Sequence, residues 1–135
     1  MGMEKRACPC CSKKLYTQCC KSYHDGFFPE NALLLMRSRY SAYALGLARY
    51  IIDTTHPENK NYLTNTDLWE KEILHFSKQT VFKDLKIVQF IENGAVAEVT
   101  FIAHLFQGGQ EVSFQERSIF EKLKGKWLYK EGHLH

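Results

Sequence analysis

The stretch Thr80-Val81-Phe82-Lys83-Asp84-Leu85-Lys86-Ile87-Val88-Gln89-Phe90-Ile91, followed by Glu92-Asn93-Gly94 and then Ala95-Val96-Ala97-Glu98-Val99-Thr100-Phe101-Ile102-Ala103-His104-Leu105-Phe106, decides the fold. Two runs rich in β-branched and aromatic residues meet at a short polar link containing glycine, the pattern of an antiparallel hairpin. The pattern repeats downstream: Gln107-Gly108-Gly109-Gln110 leads into Glu111–Lys122, and Lys124-Gly125 into Lys126–Glu131. Such short connections join antiparallel neighbours, because a parallel return needs a long crossover. Four strands in a meander are predicted.

Upstream of Ser77 the period is helical. Leu33, Met36, Tyr40, Tyr43 and Ala44 recur at steps of three and four between Glu30 and Ala44, with Pro29 suited to the first turn and Gly46 to the end. A second piece, Leu47 to Thr55, stops at His56-Pro57, since the residue before proline disfavours the α region. A third begins at Asn65 or Thr66 and carries Leu68, Trp69, Ile73 and Phe76 on its apolar side. Three helices followed by four antiparallel strands predict an α+β domain over residues 25–135, the helices packed on one face of a curled sheet with a concave cleft between them.

In front of this domain lies Cys8-Pro9-Cys10-Cys11-Ser12-Lys13-Lys14-Leu15-Tyr16-Thr17-Gln18-Cys19-Cys20, which contains all five cysteines of the 135-residue chain. An odd count and two vicinal pairs argue against disulfides. Thiols gathered as two short clusters separated by a loop are what a structural metal site requires, and an all-thiolate set favours zinc over iron. Residues 1–24 are read as a metal-binding appendage. Its charge differs from that of the remainder: Lys5, Arg6, Lys13, Lys14 and Lys21 against Glu4 give residues 1–21 a formal +4, leaving 13 basic and 14 acidic residues elsewhere. With four thiolates around a divalent ion the appendage retains only about +2, and it lacks aromatic platforms, so nucleic-acid binding through the knob ranks last. No apolar run reaches the length of a membrane span and no secretory segment opens the chain, so the expected compartment is the cytoplasm, where thiols stay reduced.

The spacing CxC, eight residues, CC, with Pro9, Ser12, a lysine-rich middle and Tyr16, resembles the SEC-C motif, a small zinc-binding element at the end of the SecA translocation ATPase and in many otherwise unrelated bacterial proteins. The resemblance implies Cys8, Cys10, Cys19 and Cys20 as ligands of one zinc ion, with Cys11 as an extra thiol. The family pattern usually has glycine where this chain has Cys11 and Lys13, at positions where a positive φ would favour it. Four protein ligands leave no position for water, so such a metal is structural. In SecA the motif helps to engage a partner chaperone, which implies a protein partner for the knob carrying Lys13, Lys14 and Lys21.

A second resemblance extends over nearly the whole chain. Leu35-Met36-Arg37-Ser38-Arg39-Tyr40-Ser41-Ala42-Tyr43, Asp53-Thr54-Thr55-His56-Pro57, Glu116-Arg117-Ser118 and Gly125-Lys126-Trp127-Leu128-Tyr129 look like the YchJ family of uncharacterised bacterial proteins. This implies a SEC-C element followed by a nuclear transport factor two-like cone. That fold serves isomerases, dehydratases and hydrolases as well as binding modules, so function must be argued from residues.

Strand alternation puts Phe114, Glu116, Ser118 and Phe120 on one face, so a core-facing Phe114 and Phe120 carry Glu116 inward, where it needs a partner. Arg37, Arg39, Tyr40 and His56 are the candidates. One reading is a pocket acid/base pair of Glu116 with His56 or His104, with Tyr40 in the lining; the other is a buried Arg39–Glu116 ion pair with His56 capping a helix. The sequence therefore carries two functional expectations: a non-catalytic zinc module that docks on a protein, or a small-molecule binder or enzyme of the lyase, isomerase or hydrolase type that uses the cone.

Overall fold

The computed structural model describes residues 6–135. A 3-10 turn, Tyr16–Gln18, and a single helical turn α1, Lys21–His24, lie within the cysteine region; α2 (Ala32–Leu45), α3 (Ala48–Asp53) and α4 (Thr66–Gln79) follow. The strands are β1 (Thr80–Asn93), β2 (Val96–Gln107), β3 (Gln110–Glu111), β4 (Phe114–Leu123) and β5 (Lys126–Leu134). All pair antiparallel in one sheet of order β1-β2-β4-β5, with the short β3 also on β2.

Two counts differ from the sequence expectation. The cysteine region contributes the extra helical turn, which is too short for periodicity to reveal. The run Glu111–Lys122 divides at Val112-Ser113, where the Leu105 amide donates to the Ser113 hydroxyl at 3.0 Å, so a side chain takes the place of a ladder carbonyl. Helix α2 starts later than Pro29 suggests, because Asn31 is its N-cap and accepts from the Leu34 amide at 2.8 Å. Gly46 ends it in the left-handed region at φ 72°, and Leu47 donates back to the Ala42 carbonyl at 2.8 Å. On α4, Trp69 and Ile73 are buried as expected, but Leu68 is half exposed.

Register shifts in β1 at Phe82/Asp84 and Ile87/Gln89 curl the long hairpin around the helices. The concave face packs Val99, Phe101, Leu105, Phe120 and Trp127 against Leu35, Met36 and Tyr40 of α2. A second cluster joins α3 and α4 through Ile51, Ile52, Trp69 and Ile73. A third is made of Cys8, Cys10, Tyr16 and Cys20, with Leu45 of α2 packed against it. Among the described residues no helix is long and apolar enough to cross a membrane.

Candidate metal centre and cone cavity

The Sγ atoms of Cys8, Cys10, Cys19 and Cys20 all lie within 4.8 Å of one another. Cys10 and Cys19 are 3.6 Å apart and Cys19 and Cys20 3.9 Å. A tetrahedron with zinc–sulfur bonds of ~2.3 Å has edges of about 3.8 Å, so these two separations bracket the expected value. Cys8, Cys10 and Cys20 are buried and Cys19 is partly buried. The donor set therefore fits a tetrahedral thiolate site. Hydrogen bonds from Cys20 and Cys8 hold the Cys10 thiol well below its ordinary range, while the same contacts with Cys10 push Cys20 up and Cys8 up to about 11. The crowded thiols favour a thiolate at Cys10 and hold Cys8 and Cys20 protonated, and a divalent cation would allow all four to ionise.

The loop is shaped by the rest of the motif. The Ser12 hydroxyl accepts from the Lys14 amide at 3.2 Å and lies 3.2 Å from Cys19 Sγ, an outer contact that orients a ligand. Cys11 and Lys13, which stand where the family pattern carries glycine, both adopt positive φ, 66° and 72°. Each bears the left-handed penalty of an L-residue, roughly 1–2 kcal/mol. Lys13 is exposed, so Lys13→Gly removes that penalty without losing packing. The expected result is a gain of about 0.5–1 kcal/mol after the extra unfolded-state entropy of glycine. Thermal melts of the metal-loaded protein check it, and a lower Tm would contradict the assignment.

Polar and aromatic contacts fasten this clip to the cone. Arg37 Nη1 donates to the Cys10 carbonyl at 2.9 Å. His24 Nε2 lies 2.8 Å from the Ser38 carbonyl, which can only accept, so Nε2 carries the proton and Nδ1 accepts from the Tyr16 hydroxyl at 2.7 Å. Burial lowers the His24 pKa, in keeping with a neutral ring in that arrangement. The histidine ring stacks edge-on to Tyr50, whose hydroxyl meets Ser38 Oγ at 2.6 Å.

The second site is a cavity of about 370 Å³ between α2, α4 and the concave face of the sheet. Its wall is mostly aromatic, with Tyr40, Phe76, Phe82, Phe101, Phe114 and Phe120 among the lining side chains. Glu116 faces this space, as alternation predicts. Its partners are not those anticipated: Ser118 Oγ donates to Glu116 Oε2 at 2.5 Å and Tyr129 OH donates to the same oxygen at 3.1 Å. The carboxylate rests over Gly132 of β5, where an added Cβ would come within 2.5 Å of the Tyr129 hydroxyl and closer still to the carboxylate.

The other anticipated residues are placed as follows. Tyr40 lines the cavity, but its hydroxyl donates to the Asp84 carbonyl at 2.9 Å and is not free to meet Glu116. His104 is on the opposite face of β2, partly exposed beside Glu111, because Ala103 and Leu105 are the residues that turn inward; a Glu116–His104 pair is ruled out by that parity. His56 is 2% exposed, yet it pairs with Glu121, Nε2 to Oε1 at 2.7 Å, and not with Glu116. Its Nδ1 accepts from the Glu58 amide at 2.9 Å, so Nε2 is the donor. The cause is a parallel bridge of Thr55 to Tyr129 that carries His56 to the face bearing Glu121. Nor does Arg39 pair with Glu116: its Nη1 donates to the Ile51 carbonyl and to the Thr54 and Thr55 hydroxyls, capping the end of α3, the task expected of His56.

The His56 contact, followed by Lys130, lowers the Glu121 pKa. A carboxylate whose folded pKa is depressed contributes stability above its unfolded pKa, and that contribution is lost as pH falls through the folded value. Glu121→Gln is therefore expected to flatten the stability profile below about pH 4.5 relative to the parent. Urea titrations at pH 7 and below pH 4.5 measure this, and parallel profiles would contradict it.

A closed four-cysteine clip fastened to a curled-sheet cone defines the class: a SEC-C motif protein with an NTF2-like domain. The profile described as "YchJ, middle NTF2-like domain" matches residues 31–132, and the chain belongs to the YchJ family. It is 36% identical over 124 residues to a UPF0225 protein of Haemophilus influenzae, covering 90% of this chain and 74% of the relative. The solution structure of a SEC-C motif containing protein from Rhodopseudomonas palustris is 35% identical with a TM-score of 0.80, covering 95% of this chain and 98% of that one. The crystal structure of a SEC-C motif containing protein from Psychrobacter arcticus is 28% identical with a TM-score of 0.81, covering 100% of this chain and 86% of that one.

Proposed function

We propose that Cys8, Cys10, Cys19 and Cys20 hold one structural zinc ion and that the clip so folded is a docking surface for a protein partner in a reducing, cytoplasmic setting. The observation that carries this reading is the closed tetrahedral donor set, with all four sulfurs inside 4.8 Å and no position left for a reacting water. Bound zinc would supply cohesion, drawing four thiolates into one tetrahedron and neutralising half of their charge. The surface around the clip supports docking: Lys13 and Lys14 are exposed, and the following segment presents Phe27 and Phe28 at 72% and 58% exposure, unusual for two adjacent aromatics. Affinity capture with the parent and with Cys19→Ser/Cys20→Ser tests it. Partners should be lost with the double variant, and identical partner sets would contradict the reading.

One observation favours a second role for the same chain. The cone is an open cavity with a fixed carboxylate and is not filled by side chains, which is the usual form of a small-molecule site.

A further inference from the structure

Three charged side chains line the cone cavity, and of these Glu72 is exposed to solvent, while Arg39 and Glu116 are more deeply set and form no ion pair with each other. Arg39 is 8% exposed and has no carboxylate partner among the described residues. Its protein hydrogen bonds all leave from Nη1, and its guanidinium lies over the Tyr129 ring at 4.6 Å from the centroid. At the hydroxyl end of the same residue, Glu116 accepts two hydrogen bonds at Oε2 and none from a described residue at Oε1. Burial and then the Glu116 charge keep the Tyr129 hydroxyl protonated, so that oxygen remains a donor to Oε2. Thus a guanidinium over the Tyr129 ring and a carboxylate at its hydroxyl, both with unused capacity, stand against a largely aromatic wall. Arg39 is buried and Glu116 half-buried, and charges drawn this far out of water are stabilised by a compensating partner.

We propose that the cavity binds a small zwitterion with an apolar body, of the class of an α-amino acid with an aromatic or branched aliphatic side chain. Its ammonium group donates to Glu116 Oε1, its carboxylate accepts from Arg39, and its side chain lies against the aromatic wall. This rests on the second reading above, that the cone is a ligand site. A singly charged ligand is a poorer fit: an amine satisfies Glu116 but places a second cation near Arg39, and an acid does the reverse. A neutral ligand leaves both uncompensated. The cavity's 370 Å³ is at the small end of ligand pockets, which suits a molecule of amino-acid size and excludes a folded peptide.

The test uses three probes with the same phenyl body: phenylalanine, phenethylamine and 3-phenylpropionate, titrated near pH 7 against the full-length, metal-loaded protein. Calorimetry gives affinity, and fluorescence of Trp69, which lines the cavity, reports the place of binding. Phenylalanine is expected to bind at least about tenfold more tightly than either singly charged probe. Glu116→Gln, isosteric and without charge, should weaken phenylalanine and phenethylamine by about tenfold or more and leave 3-phenylpropionate unchanged or tighter. A singly charged probe that matches or exceeds phenylalanine while shifting Trp69 emission overturns the zwitterion assignment and leaves the cavity as a ligand site. Failure of all three probes to bind overturns both. If Glu116→Gln does not fold, the order of the three probes on the parent protein decides alone.

Discussion

Replacing Cys10 by serine is expected to lower zinc affinity by more than about 100-fold, since altering even an outer-shell partner costs about 10–100-fold, and to unfold the clip while the sheet persists. Cys10 is fully buried at the centre of the cluster, 3.6 Å from Cys19 Sγ. Serine offers a hard hydroxyl that stays protonated where the site needs a thiolate. The apolar contacts of the segment are few, Tyr16 and Leu45 beside the cysteines themselves and Cys11 against the core of the cone, so the segment has no apolar core of its own. In small zinc modules the binding free energy, about 10–16 kcal/mol, is the folding free energy. Chelation of the parent protein should have the same effect. Residues 6–24 then release Arg37 and Ser38 of α2 and Tyr50 of α3, and the cone is expected to lose a few degrees of Tm. Amide NMR separates the outcomes: signals of the clip should move to random-coil positions while those of β1 to β5 remain dispersed. Collapse of the whole spectrum would show that the clip and the cone fold as one unit.

Gly132→Ala is expected to disturb the cone cavity more than any conservative change on its aromatic wall. Ser118 and Gly132 are cross-strand partners, and the Glu116 carboxylate and the Tyr129 hydroxyl meet in the space left by the missing side chain. The carboxylate ends a flexible chain and can move, but only by giving up the donors Ser118 and Tyr129; the tyrosine ring is packed edge-on to Phe120 and cannot follow. Overpacking of this kind costs about 1–3 kcal/mol. Denaturant titration should find that loss, and in a Glu116→Ala background it should shrink by about 0.5–3 kcal/mol, the coupling typical of residues in contact. Strictly additive effects would contradict the proposed crowding.

How far these features could be read from sequence depended on the range of the interaction that makes them. The hairpins were legible because their signals are local: Gly94, Gly108, Gly109 and Gly125 all adopt the positive φ that turn glycines suggest. Glycine's usual place in the motif also marked Cys11 and Lys13 as positions that could require the left-handed region, and both adopt it. The inward direction of Glu116 followed from parity alone. Its partners did not, because Arg37, Arg39, Tyr40 and His56 offer the stronger donors by residue type, whereas the donors are Ser118 two residues along the same strand and Tyr129 on the next. A partner at i+2 shares a strand face and could have been found by the same alternation. Tyr129 and the Gly132 niche depend on the β4–β5 register, whose shift at Ile119/Phe120 has no local signature. His56 and Glu121 are 65 residues apart and meet through one parallel bridge, a contact outside the reach of periodicity.

A cysteine stretch that works as a zinc clip must carry the metal in a fixed ratio to the chain. Elemental analysis of the protein purified without added metal, alongside the Cys10→Ser variant, measures that ratio. The expected result is about one zinc per chain in the parent, following from one tetrahedral four-thiolate site, and none retained in the variant. A parent protein free of zinc, or a variant that keeps it, would show that these cysteines are not a zinc site.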